Sequence, residues 1–339
     1  MRRFLTYFIL AVVVSLLLRT EARAQSADYT QYYLNLAGIN PGFTGIEDFT
    51  DTKFGFRQGW NDFSVKNNSF YVSTYAVLNS QLRNALKGNM LRISSPEVLR
   101  SIQEDKKILR KHGVGGMLYS RNLGPYKLLS FNANYSYHIP LTSKLYLSFG
   151  SRVGYNSQRI NFANYTVRDP INDEFYQQLM LSQQGNIGSA VIDFGTALYS
   201  DNFYVGLSSV DMVTTKVSGT VLDLEQQPRY ALQAAITGWN IRPNINLSPG
   251  VRLVYENGQD LIWTLNSRLR FYDTVYIGGG FTGPTSRMSF LMGYTAGRYS
   301  INYSYDQYLS ELNNFNVSVH EFVLGMSLFN KLKARSKIW

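Results

Sequence analysis

Stretches of ten or so residues in which apolar and polar side chains alternate, each closed by a short turn, fill the chain from Ile245 to Asp306. In Ile245–Glu256 the odd positions are Ile245, Leu247, Pro249, Val251, Leu253 and Tyr255, while the even ones include Asn246, Ser248, Gly250, Arg252 and Glu256. The next stretch sets Leu261, Trp263, Leu265, Leu269 and Phe271 against Thr264, Asn266, Arg268 and Arg270. Successive side chains of a strand point to opposite faces, so a period of two predicts a sheet with one apolar and one polar face. A soluble sandwich alternates too. What favours a membrane is the length of the stretches, since about 9–11 residues cross a bilayer with tilt, together with arginines on the polar face. Only a closed barrel crosses lipid by strands without leaving backbone groups unpaired. The pattern predicts an all-β fold, a transmembrane antiparallel up-and-down β-barrel of the cell outer membrane.

The same reading along the chain gives strands at 52–60, 69–78, 113–121, 127–138, 144–157, 187–199, 202–209, 229–240, 245–256, 260–271, 274–282, 287–296, 298–306 and 319–329, fourteen in all. An even number suits a bacterial outer-membrane barrel with both ends in the periplasm. In 144–157, Leu145, Leu147, Phe149, Val153 and Tyr155 would face lipid, and Tyr146, Ser148, Gly150, Arg152, Gly154 and Asn156 the lumen. With a periplasmic N-terminus, the short turns at Pro140–Ser143, Ser200–Asp201, Arg242–Asn244, Tyr272–Asp273 and Gly297 are periplasmic, and the long loops 158–186, 210–228 and 307–318 face outward. Residues 79–112 break this rule, being a long connection on the short-turn side. Within them Ser95-Pro96-Glu97 reads as a capped helix start, followed by the partly apolar face of Val98, Leu99, Ile102 and Leu109. A short helical insert in the periplasm is expected there; a plug in the lumen or a disordered loop are the alternatives.

At the N-terminus, Arg2 and Arg3 precede the apolar run Phe4–Leu18, and Ala22-Arg23-Ala24 resembles a cleavage site. This is the pattern of a secretory signal peptide, cut after Ala24. The expected organisation is a signal peptide at 1–24, an N-terminal periplasmic segment at 25–51, the barrel at 52–329 and a basic tail at 330–339. With no cysteine in the chain there is neither a lipidated cysteine nor a disulfide framework. Aromatic residues make up 14% of the chain, and Tyr135, Tyr137, Tyr155, Trp239, Phe271, Tyr272, Tyr294 and Tyr305 lie near predicted strand ends, where barrels carry interfacial girdles. Without residues 1–24 the chain has 29 basic and 22 acidic residues. Residues 80–112, with eight basic and three acidic residues, and the tail, with four basic ones, carry more than that whole surplus. Nucleic-acid binding is therefore disfavoured, because no basic stripe with interleaved aromatics tracks a groove. Arg100, Lys106, Lys107, Arg110 and Lys111 instead form a candidate periplasmic docking surface for an acidic partner or anionic cell-wall material.

Asn40-Pro41 with Gly45, Arg57 and Trp60 is followed by Asn122, Gly124 and Pro125, then by Ala133-Asn134-Tyr135-Ser136-Tyr137-His138-Ile139-Pro140-Leu141. Leu145–Gly150, Asp169-Pro170, Tyr303-Ser304-Tyr305-Asp306 and His320-Glu321 complete the series. Together these motifs resemble the PorP/SprF family of outer-membrane proteins associated with the type IX secretion system of the Bacteroidota. The ordered set spans about residues 28–329. Gly59 stands where the family usually has a glutamine before the tryptophan, and the insert 79–112 is longer than expected. The resemblance implies a non-enzymatic role in secretion or cell-surface attachment of particular cargo, typically large adhesins, in some members with gliding motility. Its implied partners are outer-membrane lipid, type IX secretion components and a secreted surface protein.

Chemistry for catalysis is not legible. His112, His138 and His320 are far apart in sequence, no H-x-x-x-H or cysteine cluster suggests a metal site, and no G-x-S-x-G element would expose a serine. Neither a cofactor nor a metal is expected. Gly278-Gly279-Gly280 falls inside a strand and marks a bend or close approach. The rival reading is a porin or transporter of small solutes, with Arg152, Asp193, Arg252, Glu256, Arg268 and Arg270 lining the lumen. Such charges can equally pair with one another and block it.

Overall fold

The computed structural model describes residues 29–60, 67–78, 110–142, 144–161, 171–172, 177, 185–219, 227–309, 317–330 and 336. Fifteen strands follow in order: β1 Thr50–Trp60, β2 Asn67–Val77, β3 Lys111–Leu123, β4 Tyr126–Pro140, β5 Tyr146–Ile160, β6 Gly185–Tyr199, β7 Phe203–Gly219, β8 Arg229–Ile236, β9 Trp239–Arg242, β10 Ile245–Glu256, β11 Ile262–Phe271, β12 Val275–Thr282, β13 Arg287–Ala296, β14 Tyr299–Tyr308 and β15 Ser318–Leu328. Consecutive strands pair antiparallel, β8 and β9 excepted, and β1 pairs with β15 along its whole length, so the sheet closes on itself. β8 and β9 both pair with β10 and act as one stave interrupted at Thr237-Gly238, where Gly238 takes a positive φ of 79°. The barrel therefore has fourteen staves, as the alternation predicts, and all fourteen predicted stretches fall on them.

Alternation sets the two faces. In β5, Ser148, Arg152 and Asn156 are buried, whereas Phe149, Val153 and Tyr155 are exposed on the outside. Phe, Leu, Ile, Val and Met recur on the outer face of every side of the barrel, an apolar surface fit for lipid. Tyr135, Tyr155, Trp239, Tyr272 and Tyr294 are exposed there. Among the described residues no helix is long and apolar enough to cross a membrane, which says nothing of strands.

Two expectations are corrected. The long loops begin later than their polar composition suggests. β5 runs on to Ile160 and β6 starts at Gly185, held by the packing of Ile160, Ile187 and Tyr126. β7 continues to Gly219 through a register shift between Ile192 and Phe194, where Asp211 adopts a positive φ of 58°. The second correction concerns the segment expected in the periplasm at 25–51. Its described part, up to Phe49, lies inside the barrel. The helix start at Ser95, along with Arg100, Lys106 and Lys107, lies outside the described residues.

The molecule's main apolar core sits in the lumen. Tyr32, Tyr33, Leu34, Leu36, Phe43 and Ile46 pack against inward-facing Tyr71, Tyr75, Tyr146, Tyr199, Tyr204 and Tyr276 of the wall. Many of the chain's tyrosines thus serve this core and not an interfacial girdle.

Candidate functional site

From Tyr29 to Ile46 the chain carries no charged residue, and its apolar positions follow neither strand nor helix spacing. It forms a 3-10 turn at Tyr32–Asn35, a single helical turn at Leu36–Ile39 and a second 3-10 turn at Pro41–Phe43. A segment this short in regular structure leaves most of its backbone groups without internal partners, and burial without partners is costly. The barrel wall supplies them.

At the start of the segment, Glu321 accepts the backbone N–H of Thr30 at 2.9 Å on one carboxylate oxygen and that of Gln31 at 3.0 Å on the other. The Thr30 hydroxyl donates to Asp306 at 2.5 Å. Asp306 also lies 3.6 Å from the Arg57 guanidinium and 3.8 Å from that of Arg287. Arg57 and Glu321 are direct partners in the β1–β15 ladder. The result is a buried cluster in which two carboxylates and two arginines share the beginning of the segment.

In the middle, Arg152 donates to the Gly38 carbonyl at 2.6 Å and is ion-paired with Asp193 across the β5–β6 ladder. Asn134 donates to the Ala37 carbonyl at 2.8 Å. The Arg252 guanidinium lies 5.3 Å from the centre of the Tyr32 ring, and that of Arg268 lies 3.8 Å from the Tyr33 ring. Each ring thus offers its π-face to a buried cation.

At the far end, Asn40 caps the second 3-10 turn by accepting from Gly42 N–H at 2.8 Å. Its amide donates, at 3.2 Å in each case, to the carbonyls of Thr196 and Leu207 and to Gln233. Ser148 donates to the Gly42 carbonyl at 2.6 Å. The Thr44 carbonyl lies 2.7 Å from His138 Nε2 and accepts from Ser136 at 2.5 Å, while His138 Nδ1 is 2.8 Å from the Tyr199 hydroxyl. Pro41 and Gly42 lie against Gly150, and Asn40 against Gly195, at positions where a Cβ would collide with them. Above this filling, toward the 124–125 turn, a cavity of about 410 Å³ remains, lined by Tyr29, Tyr119, Tyr126, Arg121, Arg229 and Glu256 among others.

The residues singled out from sequence fall into groups. Asn40, Pro41, Arg57, His138 and Glu321 belong to the segment or to the wall that grips it. Gly124 and Pro125 make the β3–β4 turn, with Gly124 at φ 55°. Tyr137 lies against His112 outside, the rings tilted by 49° with centres 5.0 Å apart. His320 points away from its neighbour Glu321, taking a bond from or giving one to Tyr303 OH at 2.8 Å. Trp60 ends β1 opposite Ser318. Arg152, Asp193, Arg252 and Arg268 are buried in the lumen, while Arg270 and Glu256 are half-buried. Of the candidate docking residues, Arg110 is exposed, but Lys111 is buried and ion-paired with Asp48 at 2.7 Å, so it holds the end of the lumen segment and is not part of a docking surface. Ser136, Ser148 and Asp306 stood in the sequence only as motif members or, for Ser148, as a lumen position, and Gln233 was not singled out at all. Each is an inward position of a strand, and the clue was the uncharged, aperiodic stretch ahead of β1 that needed partners.

The sequence family described as Type IX secretion system membrane protein PorP/SprF matches residues 21–326. No curated protein matches the chain significantly. Among solved structures, the outer membrane protein Omp33 of Acinetobacter baumannii aligns with 84% of this chain and all of its own, at 9% identity and a TM-score of 0.45. A TodX deletion mutant, described as a monoaromatic hydrocarbon channel, aligns with 87% of this chain and 94% of its own, at 11% identity and a TM-score of 0.50. At such identity the likeness is one of fold: an outer-membrane β-barrel. Family and fold are not those of a known enzyme class, and among the described residues no three His, Cys, Asp or Glu side chains gather to hold a metal.

Proposed function

We propose, since the chain belongs to the PorP/SprF family of type IX secretion system membrane proteins, that it is a non-enzymatic barrel aiding secretion or surface attachment of a specific cargo, such as a large adhesin. Gliding motility is one process it would serve. The observation that carries this reading over a porin is the filled lumen. The wall charges that a channel would offer to solutes are engaged: Arg152 with Asp193 and Gly38, and Arg252 and Arg268 with Tyr32 and Tyr33. A barrel so filled offers its outer face and loops, not its bore, to other molecules.

The partners are type IX secretion components, outer-membrane lipid and the secreted protein. On the periplasmic side, the basic segments 79–110 and 330–339 would meet an acidic protein or anionic cell wall, with an association that weakens as salt rises. Affinity purification from native outer membranes tests the assignment. Secretion components together with a large secreted protein are expected; co-purification of neither, with unchanged surface proteins in a deletion strain, would overturn it.

A further inference from the structure

On the lipid side of β5 to β8 the outward residues fall into rows set by the ladder. In one row Ser209 stands between Phe194 and Tyr230. In the next, toward the short turns, Thr196 stands between Phe149 and Leu207. The four large side chains are exposed on the outer face. Each row therefore drops by most of a side chain at its small residue, and the two gaps are diagonal neighbours. They leave an apolar groove of about 630 Å³ that continues to Leu253 and Tyr255 on β10 and has no charged side chain in its lining.

The wall is thin here on both faces. Gly150 and Gly195, which border the groove, are the inward positions against which the Asn40-Pro41 turn lies in the lumen. The lumen face is thus filled by the chain itself, whereas among the described residues no side chain fills the lipid face. An unfilled hollow leaves its lining without dispersion partners. Ser209 sharpens the point, because its hydroxyl is buried with no hydrogen-bond partner. Leucine or valine would avoid that cost; what serine supplies is room. Thr196 adds no free polar group, since its hydroxyl donates to the Ser148 carbonyl at 2.9 Å.

We propose that this groove is a binding site for one acyl chain of an outer-leaflet lipid. It is continuous with the apolar outer face of an outer-membrane barrel, so the molecules that reach it are those of the bilayer. Phe194 and Tyr230 lie two strand spacings apart, about 10 Å between backbones before their rings narrow the gap. A transmembrane helix, about 10–12 Å across with its side chains, is too wide to enter; a single hydrocarbon chain is not. A sugar or peptide would find neither charge nor an open ladder there, since β7 is paired with β6 and β8 along this stretch. Tyr230 and Tyr255 are each one residue from the strand end opposite the short turns. With those turns in the periplasm, the groove is entered from the outer leaflet. The site needs only the barrel and stands apart from the cargo reading.

The test places the full mature barrel in phosphatidylcholine vesicles containing a phosphatidylethanolamine with a diazirine on one acyl chain. After irradiation, labelled positions are mapped by mass spectrometry. Label at the groove residues of β6, β7, β8 and β10 is expected to exceed that on the rest of the outer wall about threefold or more, a factor that several extra dispersion contacts supply. Ser209→Leu fills the floor and should bring the label down to the level of the rest. Ala133→Leu enlarges an exposed outward residue of β4 away from the groove and should leave the excess unchanged. Folding of both variants is checked by the heat-dependent mobility shift on gels. Label spread evenly around the wild-type barrel overturns the site, and so does a folded Ser209→Leu that keeps the full excess. Should that variant not fold, the wild-type map alone decides.

Discussion

Gly150 and Gly195 face each other across the β5–β6 ladder, and the Asn40-Pro41 turn occupies the space that side chains on either would fill. The wall was left bare where the N-terminal segment lies closest. Gly195→Leu should therefore displace the segment while leaving the barrel closed. Overpacking of this kind costs about 1–3 kcal/mol. Denaturant unfolding in detergent should show a loss in that range, and a protease should cut the variant before Thr50 and spare the wild type.

Glu321 carries the start of the segment on both of its oxygens, within a cluster that also holds Asp306, Arg57 and Arg287. Glu321→Ala leaves buried arginine charge less compensated and two backbone N–H groups without their acceptor. A loss of about 3–5 kcal/mol is expected, as for breaking other buried pairs. Glu321→Gln, which keeps one acceptor oxygen, should lose less. Equal thermal stability of the alanine variant and the wild type would contradict the clamp.

Val153 and Val251 sit on outward positions in the middle of their strands. Arginine at either should cost about 2–4 kcal/mol near the bilayer midplane. An inward serine would be a tolerant control in an empty lumen. Ser148 is not, because its hydroxyl meets the Gly42 carbonyl at 2.6 Å and leaves no room, so Ser148→Arg should fold as poorly as Val153→Arg. Glu256→Arg, at the open cavity, should be accepted. Folding yield read by the heat-dependent gel shift separates the sets.

The fold was legible in the sequence because alternation is a property of each strand by itself. Leu253 and Arg252 announce their faces without reference to any other part of the chain. The filled lumen was not legible, because it depends on which side chains meet across the bore. The alternation places Arg152 and Arg268 inside, but only the path of residues 29–49 shows that Arg152 reaches Gly38 as well as its partner Asp193 and that Arg268 ends over Tyr33. Tyr71 and Tyr276 likewise gain a role only from the lumen core that they join. The uncharged run Tyr29–Ile46 was the available signal. It has no period, and period was the property being read.

The chain has no cysteine, so a single introduced one reports its location unambiguously. The site of Ser101→Cys falls in sequence between β2 and β3, and the strand ends it joins, Val77 and Lys111, are on the side of the short turns. A membrane-impermeant maleimide should fail to label it on intact cells and should label it after the outer membrane is permeabilised. Labelling from outside would invert the topology and remove the periplasmic docking surface with it.

Single-channel recording in planar bilayers tests the occupied lumen most directly. The full mature barrel should show no steady ion conductance, and a variant lacking residues 30–44, folded by the same gel criterion, should show stable open-channel currents. Wild-type currents equal to those of the deletion would contradict the account.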